Sequence, residues 1–223
     1  MTFSLIARCA KTGQFGMVIS SSSPAVAARC AHTRAGVGAV ASQNITDPAL
    51  GPLLLDALAR GKPADQALAS VTQGREHIDY RQLLVIDTAG RTAIHSGAQV
   101  LGNWGEAQGS DCASGGNLLA NASIPSAMIA GFETTTGHLG DRLIAALNAG
   151  LAAGGEAGPV HSAGMKIADK LDWPLVDLRI DWSDSPIEDL AAAWAVYRPQ
   201  MAAYVQRAQD PTLAPSYGVP GDE

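Results

Sequence analysis

The sequence predicts an α+β protein in which two mainly antiparallel sheets pack together and carry helices on their outer faces. Three observations lead there. Hairpin-like strand pairs alternate with pairs of helical segments along the chain, which is not the strict βαβ order of a doubly wound parallel fold. Hydrophobic residues make up 47% of the 223 residues and charged residues only 16%, enough for a packed core and incompatible with a disordered chain. Aromatic residues are just 5% while glycines number 24, so small side chains and tight turns carry much of the fold. At about 150 residues per domain, the expectation is one domain over 1–210 with a Pro/Gly-rich tail at 211–223.

The elements follow in order. Phe3–Arg8 and Phe15–Ser20 are apolar runs separated by Lys11-Thr12-Gly13, the pattern of a hairpin. Pro24–Arg34 reads as small and irregular, and Gly36–Ser42 as a third strand whose glycines admit a close neighbour. Asp47 and Pro48 supply an N-cap and an N1 proline for a helix to Arg60 with Leu50, Leu53, Leu54 and Leu58 on one face, and Gly61 stops it. Pro63–Gln73 is a second helix with Ala67, Leu68 and Val71 inward.

Leu83–Ile86 and Arg91–His95 flank Asp87-Thr88-Ala89-Gly90 and form the clearest local hairpin. Ala98–Asn117 has glycines and no long apolar run, so it reads as strand ends and loops. Pro125–Thr135 and Leu139–Leu151 are helical, and Val160–Ile167 and Leu175–Ile180 form a last strand pair. Ser185 with Glu188 has the shape of a capping box for a helix reaching Gln209, which Pro199 interrupts.

Composition also narrows function. With 15 Lys+Arg against 21 Asp+Glu the formal charge is −6, which argues against a general nucleic-acid binder and gives no attraction to an anionic membrane. No apolar stretch reaches the roughly 18 residues that span a bilayer, and Arg8 interrupts the N-terminal run before it resembles a signal peptide. Cys9, Cys30 and Cys112 are too few and too scattered for a disulfide framework, so the expectation is a cytoplasmic chain with reduced cysteines. His32, His77, His95, His138 and His161 show neither HxH nor HExxH spacing, and there is no GxxxxGK[ST], helix-opening GxGxxG or GxSxG. No metal and no cofactor are expected.

What remains is the N-terminus. Residue 2 is threonine, a residue before which initiator methionine is commonly trimmed. Removal of Met1 leaves a hydroxyl and a free α-amine on one residue. With a reference pKa of about 7.7–8.0, such an amine serves as general base for its own hydroxyl, directly or through water. Thr2 at the head of a core strand would be fixed on a rigid element.

The segments MTFSLIAR and TGQFGMVISS, then TRAGVGAVASQ, DPALGPLLLDAL, YRQLLVID and VDLRID, resemble the DUF1028 family over roughly residues 1–200. That bacterial family is grouped with the N-terminal nucleophile (Ntn) hydrolases. The resemblance implies a four-layer αββα sandwich, self-association into a homo-oligomer and, by superfamily analogy alone, amidohydrolase chemistry on a small-molecule substrate.

The resemblance also nominates residues. Thr2 matches the nucleophile position, and the antiparallel return brings Ser20–Ser23 beside it, either to bond the amine or substrate or simply to end a strand. Arg34 matches the arginine of the family's ARAGVGAV-like segment and suits a carboxylate, with Gln43 at the end of that strand. Asn44 either donates into an oxyanion hole, where one donor is worth roughly 3–4 kcal/mol, or caps a turn. Arg81 opens the fourth strand. Asn117 matches a loop Gly-Asn that lines the pocket or caps a turn, and Asp177 lies in the last strand, where it either serves substrate or pairs with Arg179. Three functional classes therefore stand: an Ntn-type amidohydrolase with Thr2 as nucleophile, a non-catalytic binding or scaffold protein on the same frame, and a hydrolase using Ser20 or Cys30 with a histidine.

Overall fold

The computed structural model describes residues 2–221. The first hairpin forms as the sequence predicts. β1 (Thr2–Arg8) and β2 (Phe15–Ser21) pair antiparallel with Phe3 opposite Ser20 and Arg8 opposite Phe15. Both are fully buried except at the Arg8 end, so their alternation separates two buried faces rather than a core and a solvent face.

The segment read as irregular holds two elements. α1 (Val26–Cys30) is a five-residue helix, too short for any periodic signal, and β3 (Ala31–Arg34) follows it directly. Gly36, at φ 65°, turns the chain into β4 (Gly38–Asn44). α2 (Leu50–Ala59) begins later than the sequence predicts: Asp47 Oδ1 accepts the Ala49 N–H in a turn ahead of the helix instead of capping it. Its buried face is Leu50, Leu54, Leu55 and Leu58, while Leu53 is exposed.

α3 (Ala64–Thr72) buries Ala67, Leu68 and Val71 as expected, and its first N–H, at Ala64, is taken by Asp87 Oδ2 from a distant turn. β5 (Arg81–Ile86) and β6 (Thr92–Ser96) form the second hairpin.

The larger correction concerns Ala98–Asn117. It contains β7 (Gly105–Gly109) and β8 (Cys112–Asn117), the latter lying directly against β1. Its sequence, CASGGN, has no β-branched or aromatic residue. The reason is space: a Cβ at Gly116 would come 2.7 Å from the Leu119 side chain and 3.1 Å from the Thr2 carbonyl oxygen. Close packing of neighbouring layers, not strand propensity, selects these residues.

α4 (Ile124–Thr134), α5 (Leu139–Ala152), β9 (Ser162–Ala168) and β10 (Val176–Ile180) fall where the sequence puts them. α6 (Pro186–Tyr197) and α7 (Met201–Gln209) are separated by a 3-10 turn at Arg198–Gln200 that contains Pro199. The capping box does not form. Ser183 Oγ takes the Ser185 N–H and donates to Asp189 instead.

The strands make a six-stranded sheet, β10-β9-β2-β1-β8-β7, and a four-stranded sheet, β3-β4-β5-β6, with every pair antiparallel. Three apolar clusters fill the spaces between layers. Phe3, Leu5 and Val18 meet α4, α5 and α6 on one outside. Ile6, Met17, Ile19, Ala41 and Leu84 join the two sheets. Val40, Leu83 and Val85 meet α2 and α3 on the other outside. The order is helix, sheet, sheet, helix: the αββα sandwich. Among the described residues no helix is long and apolar enough to cross a membrane.

Candidate active site

β1 starts in the middle of the six-stranded sheet, flanked by β2 and β8, so its first described residue sits at one mouth of the sandwich. Thr2 pairs with Asn117 and is only 6% exposed; its hydroxyl lies 3.5 Å from Ser21 Oγ. Strand alternation then sorts the neighbours. Thr2, Ser4 and Ile6 face the second sheet, while Phe3 and Leu5 face the helices.

A cavity of about 270 Å³ opens at this mouth, lined by Thr2, Ser21, Ser23, Val26, Arg29, Cys30, Asn44 and Thr46. Beneath it, between the sheets, lies a buried polar network. Ser4 Oγ donates to Gln43 Oε1 at 2.7 Å, and Gln43 Nε2 donates to Gln82 Oε1 at 2.9 Å. Asn117 Nδ2 gives a second bond to the same Gln82 oxygen at 3.3 Å. Gln82 Nε2 in turn approaches Ser96 Oγ and the carbonyls of Gly105 and Gly116. Such groups stay buried because they satisfy one another; unpaired, each would cost about 1–3 kcal/mol. Among the described residues Asn117 Oδ1 has no hydrogen-bond partner.

The structure therefore gathers Thr2, Ser21 and Asn44 at the cavity and Gln43 and Asn117 in the network below it. Asn44 ends β4 in the left-handed region at φ 69°, and its amide ties down neighbouring loops: Nδ2 donates to the Tyr80 carbonyl, and Oδ1 takes the Leu101 N–H. One Nδ2 hydrogen remains beyond the bond to Tyr80.

Four nominated residues go elsewhere. Ser20 shares the helix-facing side with Phe3, and its hydroxyl donates to the Ser162 carbonyl. Arg81 lies at the same mouth but donates to the Ile45 carbonyl, outside the cavity lining. Arg34 stands at the opposite end of β3, paired at 2.8 Å with Asp56. Asp177 pairs across strands with Lys166 at 3.1 Å, not with Arg179, whose nearest acid is Asp181 at 3.9 Å.

Sequence reading passed over several residues at this mouth. Gln82, next to Arg81, is the hub of the network. Arg29 is the charged side chain of the lining, with its guanidinium bonded to the carbonyls of Pro24 and Ala25. Cys30, by contrast, was offered by the sequence as an alternative nucleophile; its Sγ is 3.4 Å from Thr46 Oγ1, and burial pushes its thiol pKa up, the opposite of what a cysteine nucleophile needs. Glu156 is buried, and both its carboxylate oxygens accept the Ser22 N–H, at 3.1 and 3.2 Å. Burial pushes its pKa up to about 7, against the lowering effect of those bonds. Nothing in the local sequence, GGEAG, marks it; only the fold brings it to Ser22.

A layered α+β sandwich with a threonine heading a central strand over a buried amide network is the class that this fold and site define. The chain belongs to the DUF1028 family, a family of unknown function, whose model matches residues 2–190. Among solved structures it is similar to protein SPO2555 from Silicibacter pomeroyi, of the same family, at 28% identity and a TM-score of 0.82 over 88% of each chain. It shows a coarser likeness to HslV from Trypanosoma brucei, with 8% identity and a TM-score of 0.45 over 75% of this chain and 99% of that one. Anbu, an ancestral beta-subunit from Yersinia bercovieri, matches at 12% identity and a TM-score of 0.40 over 91% of this chain and 97% of that one. No curated protein matches.

Proposed function

We propose that the protein, once trimmed to Thr2, is an N-terminal-nucleophile amidohydrolase acting on a small amide. The observation that carries this reading is the position of Thr2: first in a central strand, nearly buried, with its side chain in the wall of a small polar cavity. Met1, whose removal the reading requires, lies outside the described residues.

In the acylation step Thr2 Oγ forms a bond to the amide carbonyl carbon while its proton passes to the α-amine of the same residue. The tetrahedral oxyanion is held by the remaining Asn44 Nδ2 hydrogen, and the C–N bond breaks as the ammonium returns its proton to the leaving nitrogen. Water then attacks the ester with the amine again as base, releasing a carboxylic acid and the free hydroxyl. Arg29 in the lining favours a substrate that carries an anionic group, the role for which Arg34 was nominated. The reading takes the protein as cytoplasmic and self-associating, with a second copy covering exposed apolar side chains such as Val196 and Leu213.

Intact mass of protein from its native host, before and after exposure to a β-lactone, tests this. The expected result is loss of one methionine, a single adduct at Thr2, and an acylation rate at least roughly 10³-fold lower in Thr2→Ala. Retained Met1 with no adduct overturns it and leaves either a non-catalytic binding protein on the same frame or a hydrolase with an internal nucleophile.

A further inference from the structure

β1 runs between β2 and β8, and a carboxylate stands just past the end where it begins. Beyond Asn117, the chain of β8 continues to Leu119, which pairs in an antiparallel bridge with Glu156; the Ala157 N–H donates to the Leu118 carbonyl and the Ala120 N–H to the Gly155 carbonyl. On the β2 side, the Glu156 carboxylate receives the N–H of Ser22, the residue after the last of β2. A side chain at Gly155 would come within 3.8 Å of the Phe3 ring, which places this segment beside the start of β1. Backbone on one flank and carboxylate on the other thus hold Glu156 across the head of the strand.

We infer that Glu156 is a positioning residue that receives the α-ammonium group of Thr2 in the trimmed protein and holds the amine over Oγ. The inference rests on the amidohydrolase reading for its catalytic meaning, though not for the ion pair itself. A carboxylate so deeply buried is costly to ionise without a cationic partner, and an α-ammonium supplies one. The Ser22 N–H orients the carboxylate but brings no charge.

Other ionisable groups of this neighbourhood come from two segments. α1 contributes Arg29 and Cys30. The loop leading into β9 contributes His161, whose backbone N–H bonds the Ser21 carbonyl, whose ring stacks on Trp182 at 4.4 Å and whose Nδ1 lies 3.7 Å from Asp184. Of these, His161 acts electrostatically on Glu156.

The sign of the coupling is definite. An anion beside the amine favours its protonated form, so the amine of the native protein titrates above its ordinary value. Replacing the anion by an amide of the same shape, which still accepts the Ser22 N–H, lowers it. The experiment uses protein trimmed to Thr2 with a methionine aminopeptidase and labelled with ¹⁵N-threonine. The α-amine is titrated by NMR, and β-lactone acylation is followed against pH, in native protein and in Glu156→Gln.

In Glu156→Gln the amine titration and the acid limb of acylation should both move down by about one to two pH units, with a lower plateau rate because the amine is no longer held. Glu156→Asp, which keeps the charge on a shorter arm, should restore most of the titration shift. An unmoved amine titration in a folded Glu156→Gln protein overturns the inference, since a merely structural Glu156 would not shift it. If the titration shifts while native protein takes no adduct at Thr2, the ion pair stands and the amidohydrolase reading fails.

Discussion

The two ends of the sandwich use polar side chains in opposite ways. At the Thr2 end, Ser4, Gln43, Gln82 and Asn117 are buried and bonded to one another. At the other end, Arg34 and Asp56 form an ion pair with both side chains 40% or more exposed, beside a larger cavity of about 470 Å³ lined by Lys170, Asp172 and Trp173. Exposed charges cost little to keep and contribute little, whereas each buried amide group left unbonded is costly. The buried end is where the chain accepts a constraint that packing alone does not require.

Replacing the hub should break this contrast most strongly. Gln82→Leu leaves Gln43 Nε2 and Asn117 Nδ2 without their shared acceptor, and urea unfolding should show a loss of about 2–4 kcal/mol. A loss below about 1 kcal/mol would mean that the network rearranges at little cost.

Asp87 sharpens the comparison because it is the buried acid of the opposite end. Burial opposes its ionisation, but bonds from Arg91, Ala64 and Ala89 more than compensate and hold its carboxyl below the ordinary aspartate range. A carboxyl whose folded pKa is depressed stabilises the fold above its unfolded pKa and loses that contribution as pH falls through the folded value. Asp87→Asn should therefore cost about 1–2 kcal/mol at pH 7 and progressively less below about pH 4. Equal destabilisation at pH 7 and pH 3 would contradict the charge argument. The mutation should leave Thr2 acylation unchanged.

The smallest effect belongs to the exposed pair. Arg34→Ala should change stability by no more than about 0.5 kcal/mol and leave Thr2 acylation at its native rate. A large fall in that rate would show that the far end serves the site after all.

Where sequence reading failed, alternation and packing explain it. Arg81 was nominated although its neighbour Gln82 is the one that faces the space between the sheets, and of the nominated serines Ser21 faces that space while Ser20 does not, because a strand turns successive side chains to opposite faces. When both faces are buried, as in β1 and β2, composition does not reveal which face meets the second sheet. β8 escaped notice because its small residues are chosen by the closeness of the neighbouring layers. α1 was too short to show a period.

The sequence by itself determined the α+β class, both hairpins, the four longer helices before β9 and the threonine after Met1, since turn residues, apolar spacing and position along the chain are local properties. Only the tertiary structure decided that β8 flanks β1, that Gln82 joins Gln43 to Asn117, and that Glu156 meets Ser22 from 134 residues away. Those contacts depend on which face and which neighbour each strand acquires when the layers close, and no local pattern encodes that choice.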